Sequence, residues 1–152
     1  MDTLLDHIMG VMEDAFDPAY GEAWTRRQVS DSLAMPNIHM LVADEDGKPP
    51  AADQPAAGFA LSRRVADEEE LLLIAVRMEA RGQSLGTRLL GQFFASARAA
   101  GVERVFLEMR EGNPAEKFYL SQGFTPIGRR KLYYLGKDGV RRDAITFAKT
   151  LG

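Results

Sequence analysis

The sequence predicts an α/β fold in one domain, and three features carry the prediction. Amphipathic helical stripes alternate with short apolar runs. One run, Leu71 to Val76, is continuously apolar, as a strand buried on both faces reads. That run passes through a glycine-punctuated turn into a long helix and back into a second run, Val102 to Met109. Such a unit needs a crossover, so the two strands are expected to be parallel and the connection right-handed. With 152 residues the chain has the common size of one domain and is expected to form a single unit over 1–152.

Taken in order, Leu4, Ile8, Val11, Met12 and Ala15 recur at helical spacing and predict a helix over 3–16. Asp17-Pro18 and Gly21 break it. Thr25 and Gln28 stand three apart, the spacing of a capping box, and predict a second helix that stops before Pro36. A strand follows at Ile38 to Ala43. The stretch 44–55, with three prolines and four acidic residues, reads as an exposed loop. Strands are expected at 57–65 and 69–77. The stripe Leu85, Leu89, Phe93 and Ala97 predicts a long helix from Ser84 to near Gly101. After the strand Val102 to Met109 come a short helix near 114–121, a strand after Gly123 and a last strand near 143–150.

Composition narrows the chemistry. Hydrophobic residues are 45% and charged residues 27%, an ordinary globular balance. The longest apolar run has six residues, against roughly 20 for a spanning helix, and the first residues do not read as a secretory signal. A cytoplasmic protein without a membrane partner is expected. There is no cysteine and there are two isolated histidines, His7 and His39, so no metal centre and no thiol nucleophile are expected. A net charge of −3 argues against a direct nucleic-acid partner, although Arg129, Arg130, Lys131, Arg141 and Arg142 make the C-terminal part locally basic.

Ligands in crossover units gather where a strand ends and its helix begins. Here that place is Arg77 to Arg88, a glycine-bearing turn opening a helix. Unpaired N–H groups and the helix dipole make it a seat for a pyrophosphate, although glycines serving only a tight turn would look the same.

In its surroundings this segment resembles motif A of the GNAT superfamily of N-acetyltransferases, written Q/R-x-x-G-x-G/A after an apolar strand. The chain reads Arg81-x-x-Ser84-x-Gly86, with Ile74-Ala75-Val76 before it and Leu107 to Arg110, Asn113, Tyr119 and Gly123-Phe124 following in the family's order. Phe16 to Thr25, Leu107-Glu108-Met109-Arg110, Gly128 to Tyr134 and Asp143-Ala144-Ile145 narrow the resemblance to the bacterial ribosomal-protein-alanine acetyltransferases of the RimI type. It spans nearly the whole chain.

The resemblance implies a mixed, mostly antiparallel sheet, flanked by about four helices, with a central parallel pair splayed for acetyl-CoA. It implies that backbone of Gly82, Gln83, Ser84, Leu85, Gly86 and Thr87, with Arg81 and Asn113 nearby, holds the acetyl-CoA, and that Ile74, Ala75 and Val76 pair with its pantetheine. It casts Glu108 as proton acceptor, Tyr119 as proton donor, and Glu22, Trp24 and Tyr134 as neighbours of the acceptor. The implied partner is the N-terminus of a ribosomal protein such as S18, met by a monomer or weak dimer. The roles are chemically coherent: an α-ammonium of pKa about 8 needs only a modest shift to become nucleophilic, and the departing thiolate needs a proton. A small-molecule amine is the alternative acceptor, and a non-catalytic acetyl-CoA-binding module is the third possibility.

Two departures stand out. Ser84 occupies a usual glycine position, where its Cβ crowds the phosphate or its hydroxyl donates to it. Asn113 lies six residues before Tyr119 where the pattern has seven, a slip that Pro114 is placed to absorb. Outside the resemblance the same residues have plainer explanations: a solvated strand carboxylate for Glu108, a core aromatic for Tyr119, hairpin packing for Tyr133 and Tyr134, an anchor of the second helix for Trp24. For the basic cluster 129–131 a solvated hairpin is the expectation.

Overall fold

Local signals set the N-terminal elements. In the computed structural model, which describes residues 3–15, 23–51, 53–81 and 84–151, helix α1 (Thr3–Ala15) buries Leu5, Ile8, Met9, Val11 and Met12. Helix α2 (Arg26–Leu33) opens on the expected capping box: the Gln28 N–H donates to Thr25 Oγ1 at 3.2 Å and the Thr25 N–H to Gln28 Oε1 at 2.8 Å. It ends ahead of Pro36, and Val29 joins α1 in the core.

Strands β1 (Ile38–Ala43), β2 (Gly58–Val65) and β3 (Glu68–Val76) form an antiparallel meander. Helix α3 (Leu85–Ala99) crosses over to β4 (Arg104–Arg110); α4 (Glu116–Ser121), β5 (Thr125–Leu135) and β6 (Arg141–Thr150) follow. The sheet order is β1-β2-β3-β4-β6-β5, and β3–β4 is its parallel pair. Boundaries lie within about two residues of expectation, except that β5 runs to Leu135 and turns through a hairpin into β6. No helix among the described residues is long and apolar enough to cross a membrane.

A bulge in β3 divides the core. Leu61 faces Leu73 but Ser62 faces Leu71, so Leu72 is an extra residue. The bulge moves Leu71 to the α3 side, against Leu90 and Phe93, while Leu73 and Ala75 pack against Ile8 and Met12 of α1. Gly58 lets α3 settle this close: a Cβ there would stand 2.8 Å from Leu89 Cδ1 and 2.9 Å from the Ala75 carbonyl.

The parallel pair is short. β3 and β4 pair only at Glu68–Arg104, Glu69–Val105 and Glu70–Phe106 and then separate. At this junction the Glu69 side chain is 1% exposed, a position where an unpaired charge would be prohibitive. Arg64 Nε at 2.8 Å and the Ser62 hydroxyl satisfy one carboxylate oxygen each.

Candidate active site

Beyond that junction, Leu71–Val76 of β3 and Leu107–Arg110 of β4 turn their inner backbone edges toward each other without pairing. Their outer edges are committed to β2 and β6. Between them opens a cavity of about 1000 Å³, lined also by the start of α3 and, next to it, by Asn113, Pro114, Ala115, Phe118 and Tyr119. Facing edges of unpaired amides and carbonyls suit an extended ligand with amides of its own, because polar backbone without a partner is costly when buried.

The cofactor end is assembled from one stretch of chain. After β3, Arg77 Nε donates to the Ala56 carbonyl at 2.7 Å, the Met78 N–H to Asp14 Oδ2 at 2.6 Å, and Arg81 to the Val76 and Ala15 carbonyls at 3.2 and 2.8 Å. The turn is thereby tied to the C-terminal end of α1. Ser84 has φ 66° and ψ 13°, the left-handed conformation that a glycine adopts without strain, which supplies a backbone reason for the glycine usual there. Its hydroxyl makes no cap, and the N–H groups of Leu85, Gly86 and Thr87 have no carbonyl one turn back within the fifteen-residue α3. They face the cavity with the positive end of the helix dipole. Gly82 and Gln83 lie outside the described residues.

Glu108 and Tyr119 reach the cavity from its two sides. Leu107 and Met109 pack under α3 and α4, so by strand alternation Glu108 faces the other way. Its side chain is 17% exposed and lies 3.0 Å from Arg130 Nη2. The approach is off-line, so the ion pair is not a hydrogen bond, and Oε2 is buried without a hydrogen-bond partner among the described residues. A carboxylate oxygen whose ion pair is off-line keeps a lone pair for an N–H donor that can align with it. Tyr119 is buried against Phe118 and Phe124, its ring edge-on to Phe124 at 5.8 Å.

The other expected site residues divide. Ile74, Ala75, Val76, Arg81, Ser84, Leu85, Gly86, Thr87 and Asn113 line the cavity. Asn113 Oδ1 also accepts the Ala115 N–H at 2.9 Å, so the turn around Pro114 is fastened by Asn113 itself. Trp24 and Tyr134 are not in the cavity wall: Trp24 packs on the α1–α2 core and Tyr134 stands edge-on to Tyr133 at 5.6 Å. Glu22 lies outside the described residues.

The basic cluster 129–131 is exposed, as expected of a solvated hairpin, and two of its arginines also pair with carboxylates. Arg129 pairs with Asp143 and Glu111, and Arg130 reaches Glu108. Between Arg130–Ala144 and Tyr134–Arg142 three β5 residues oppose one of β6, with Leu132 at φ 51°. The Asp143 carboxylate holds this bulge by accepting the Leu132 N–H at 2.8 Å. That bond first, then Arg129, keeps its pKa below the ordinary carboxyl value. These contacts need the strand order, since β5 lies outside β6, and no local motif announces them.

Comparison with known proteins agrees with this geometry. Residues 9–124 match the model of the acetyltransferase (GNAT) family. The [ribosomal protein bS18]-alanine N-acetyltransferase of Haemophilus influenzae is 36% identical over 91 residues, which cover 60% of this chain and 62% of that protein. A Bacillus subtilis protein provisionally given the same name is 31% identical over 90% of this chain and 85% of its own. The crystal structure of the ribosomal-protein-S18-alanine N-acetyltransferase from Escherichia coli superposes with a TM-score of 0.82 at 26% identity, covering 100% of this chain and 90% of that one. The chain belongs to the acetyltransferase (GNAT) family and within it resembles the RimI type.

Proposed function

We propose that the chain is an acetyl-CoA-dependent acyltransferase that acetylates the α-amine of a protein beginning with alanine, ribosomal protein bS18 being the acceptor named for its relatives. It acts as one domain over 1–152, in the cytoplasm, as a monomer or weak dimer without nucleic acid. The observation that carries this reading is the buried Oε2 of Glu108, without a hydrogen-bond partner among the described residues, in the lining of a cleft between two unpaired strand edges.

Acetyl-CoA, when bound, supplies a thioester at the splay. Backbone of Ile74, Ala75 and Val76 orients the pantetheine, while the N–H groups of Ser84 to Thr87, with Gly82 and Gln83, hold the pyrophosphate. Arg81 and Asn113 fasten the two turns that border the cleft. Glu108 accepts a proton from the α-ammonium, whose pKa of about 8 makes the transfer modest. The freed amine attacks the acetyl carbonyl, forming a C–N bond as the C–S bond breaks; Tyr119 donates its hydroxyl proton to the departing sulfur, and the second proton lost by the nitrogen restores the Tyr119 phenolate through water, while Glu108 releases its own proton to solvent. Glu22 and Tyr134 border the acceptor's first side chains, and Trp24 contributes by anchoring the start of α2.

The test is acetyl transfer to an alanine-initial peptide and, separately, to polyamines and an aminoglycoside, followed by mass spectrometry. The expected outcome is a peptide product of +42 Da (one acetyl, about the mass of C₂H₂O) formed much faster than any small-amine product. Turnover of small amines alone would contradict the reading.

A further inference from the structure

We propose that Arg130 is a displaceable counter-ion of Glu108, holding the carboxylate in the acceptor-free enzyme and yielding it to the acceptor's ammonium. The inference rests on the reading of Glu108 as the group that meets the amine. Glu108 sits opposite Thr146, and Thr146 opposite Gly128, so the three share one face of the sheet and Arg130 is the next β5 residue on that face. Gly128 has no side chain, and nothing lies within 4 Å of where its Cβ would be. The Arg130 side chain therefore spans β6 and reaches Glu108 Oε2 at 3.0 Å.

Three features make this contact exchangeable. It is coulombic without a hydrogen bond, so Oε2 keeps its directional capacity for a donor, and a small ammonium carries three. Arg130 is 58% exposed whereas Glu108 is 17% exposed, so the guanidinium can return to water while the carboxylate cannot. Arg130 Cζ also stands 4.3 Å from the centre of the Tyr133 ring, and that aromatic face remains for the cation once Glu108 is taken. Arg130 is thus a positioning residue that competes with the acceptor for one carboxylate.

The measurement is the calorimetric Kd of an alanine-initial peptide for the CoA-loaded enzyme. Arg130→Gln should tighten it roughly threefold to fivefold, the size of a part-exposed ion pair. Arg130→Lys should keep it near the unaltered value, and Arg130→Met should tighten it like Gln while preserving the stem over Tyr133. Glu108→Gln should weaken binding, and in that background Arg130→Gln should change nothing further. Weaker or unchanged binding in both Arg130→Gln and Arg130→Met overturns the counter-ion role. If Glu108→Gln weakens binding in that case, the reading of Glu108 stands alone. If Glu108→Gln binds the peptide as the unaltered enzyme does, Glu108 does not meet the amine and both readings fall.

Discussion

The two walls of the cleft are built in different ways. The wall from Val76 to Thr87 is one continuous piece of chain, strand to turn to helix, and its groups are mainly backbone N–H and C=O fastened by Arg77, Arg81 and Asp14. The wall around Glu108 is a single strand, β4, whose Glu108 side chain is backed from outside the cavity: Arg130 reaches Glu108 across β6 from β5, where Asp143 holds the bulge. A backbone wall suits a ligand that does not vary, because its groups are the same whatever the side chains. A side-chain wall is where relatives can diverge in what they accept. The two should therefore be separable by mutation, each losing one function and keeping the other.

The largest separation is expected at Glu108. Glu108→Gln should lower kcat by about 10² or more while leaving acetyl-CoA affinity unchanged, as steady-state kinetics and calorimetry would show. A parallel loss of acetyl-CoA affinity would break the comparison, since Glu108 would then serve both walls. On the other wall, Ser84→Gly relieves a left-handed serine and should raise the unfolding free energy by about 0.5–1 kcal/mol in denaturant titration. Where the serine hydroxyl donates to a phosphate, the same variant weakens acetyl-CoA by about 1 kcal/mol and leaves the peptide's affinity alone. Tighter acetyl-CoA binding would assign the serine to crowding instead.

The difference between the walls also decides what could be read in advance. The cofactor wall lies in sequence order, so Arg81, Ser84 and Gly86 were visible as a motif, and the helical stripe beginning at Leu85 placed them at a helix start. The left-handed backbone of Ser84 was not visible, because a serine in the sequence carries no sign of its φ. The Leu72 bulge was equally silent: in a run as uniformly apolar as Leu71 to Val76, a shift of phase leaves no break in the pattern. Across the cleft, resemblance singles out Glu108, but its partner Arg130 sits 22 residues on and two strands away. Only the insertion of β6 between β4 and β5 brings them together, so the pairing of this exposed arginine leaves no local sign.

The smallest effect concerns acid. Asp138, held by Arg142 and the Val140 N–H, has its pKa lowered from 3.8 to about 2, and Asp143 is lowered by Leu132 and Arg129. Depressed carboxyls contribute stability that is fully present above their ordinary value and lost as pH falls through the folded one. As pH drops from 3.8 towards 2, the β5–β6 hairpin should therefore loosen before the cofactor wall does. Amide chemical shifts of Leu132 and Val140, compared with those of Leu89 and Leu90 in α3, would follow this. Simultaneous loss in both places would show that the hairpin carries no acid sensitivity of its own.

The central claim, that the side-chain wall selects a small first residue bearing an α-amine, is tested most directly by competition. A peptide with free N-terminal alanine and an internal lysine is mixed with the same peptide begun with leucine, given acetyl-CoA and enzyme, and analysed by site-resolved mass spectrometry. Bulk at the first residue must displace packed atoms, and a lysine ε-amine arrives on a flexible stem that costs more entropy to fix. The account predicts acetyl on the alanine α-amine well ahead of the leucine α-amine and of either lysine. Lysine labelling equal to or above α-amine labelling would contradict it.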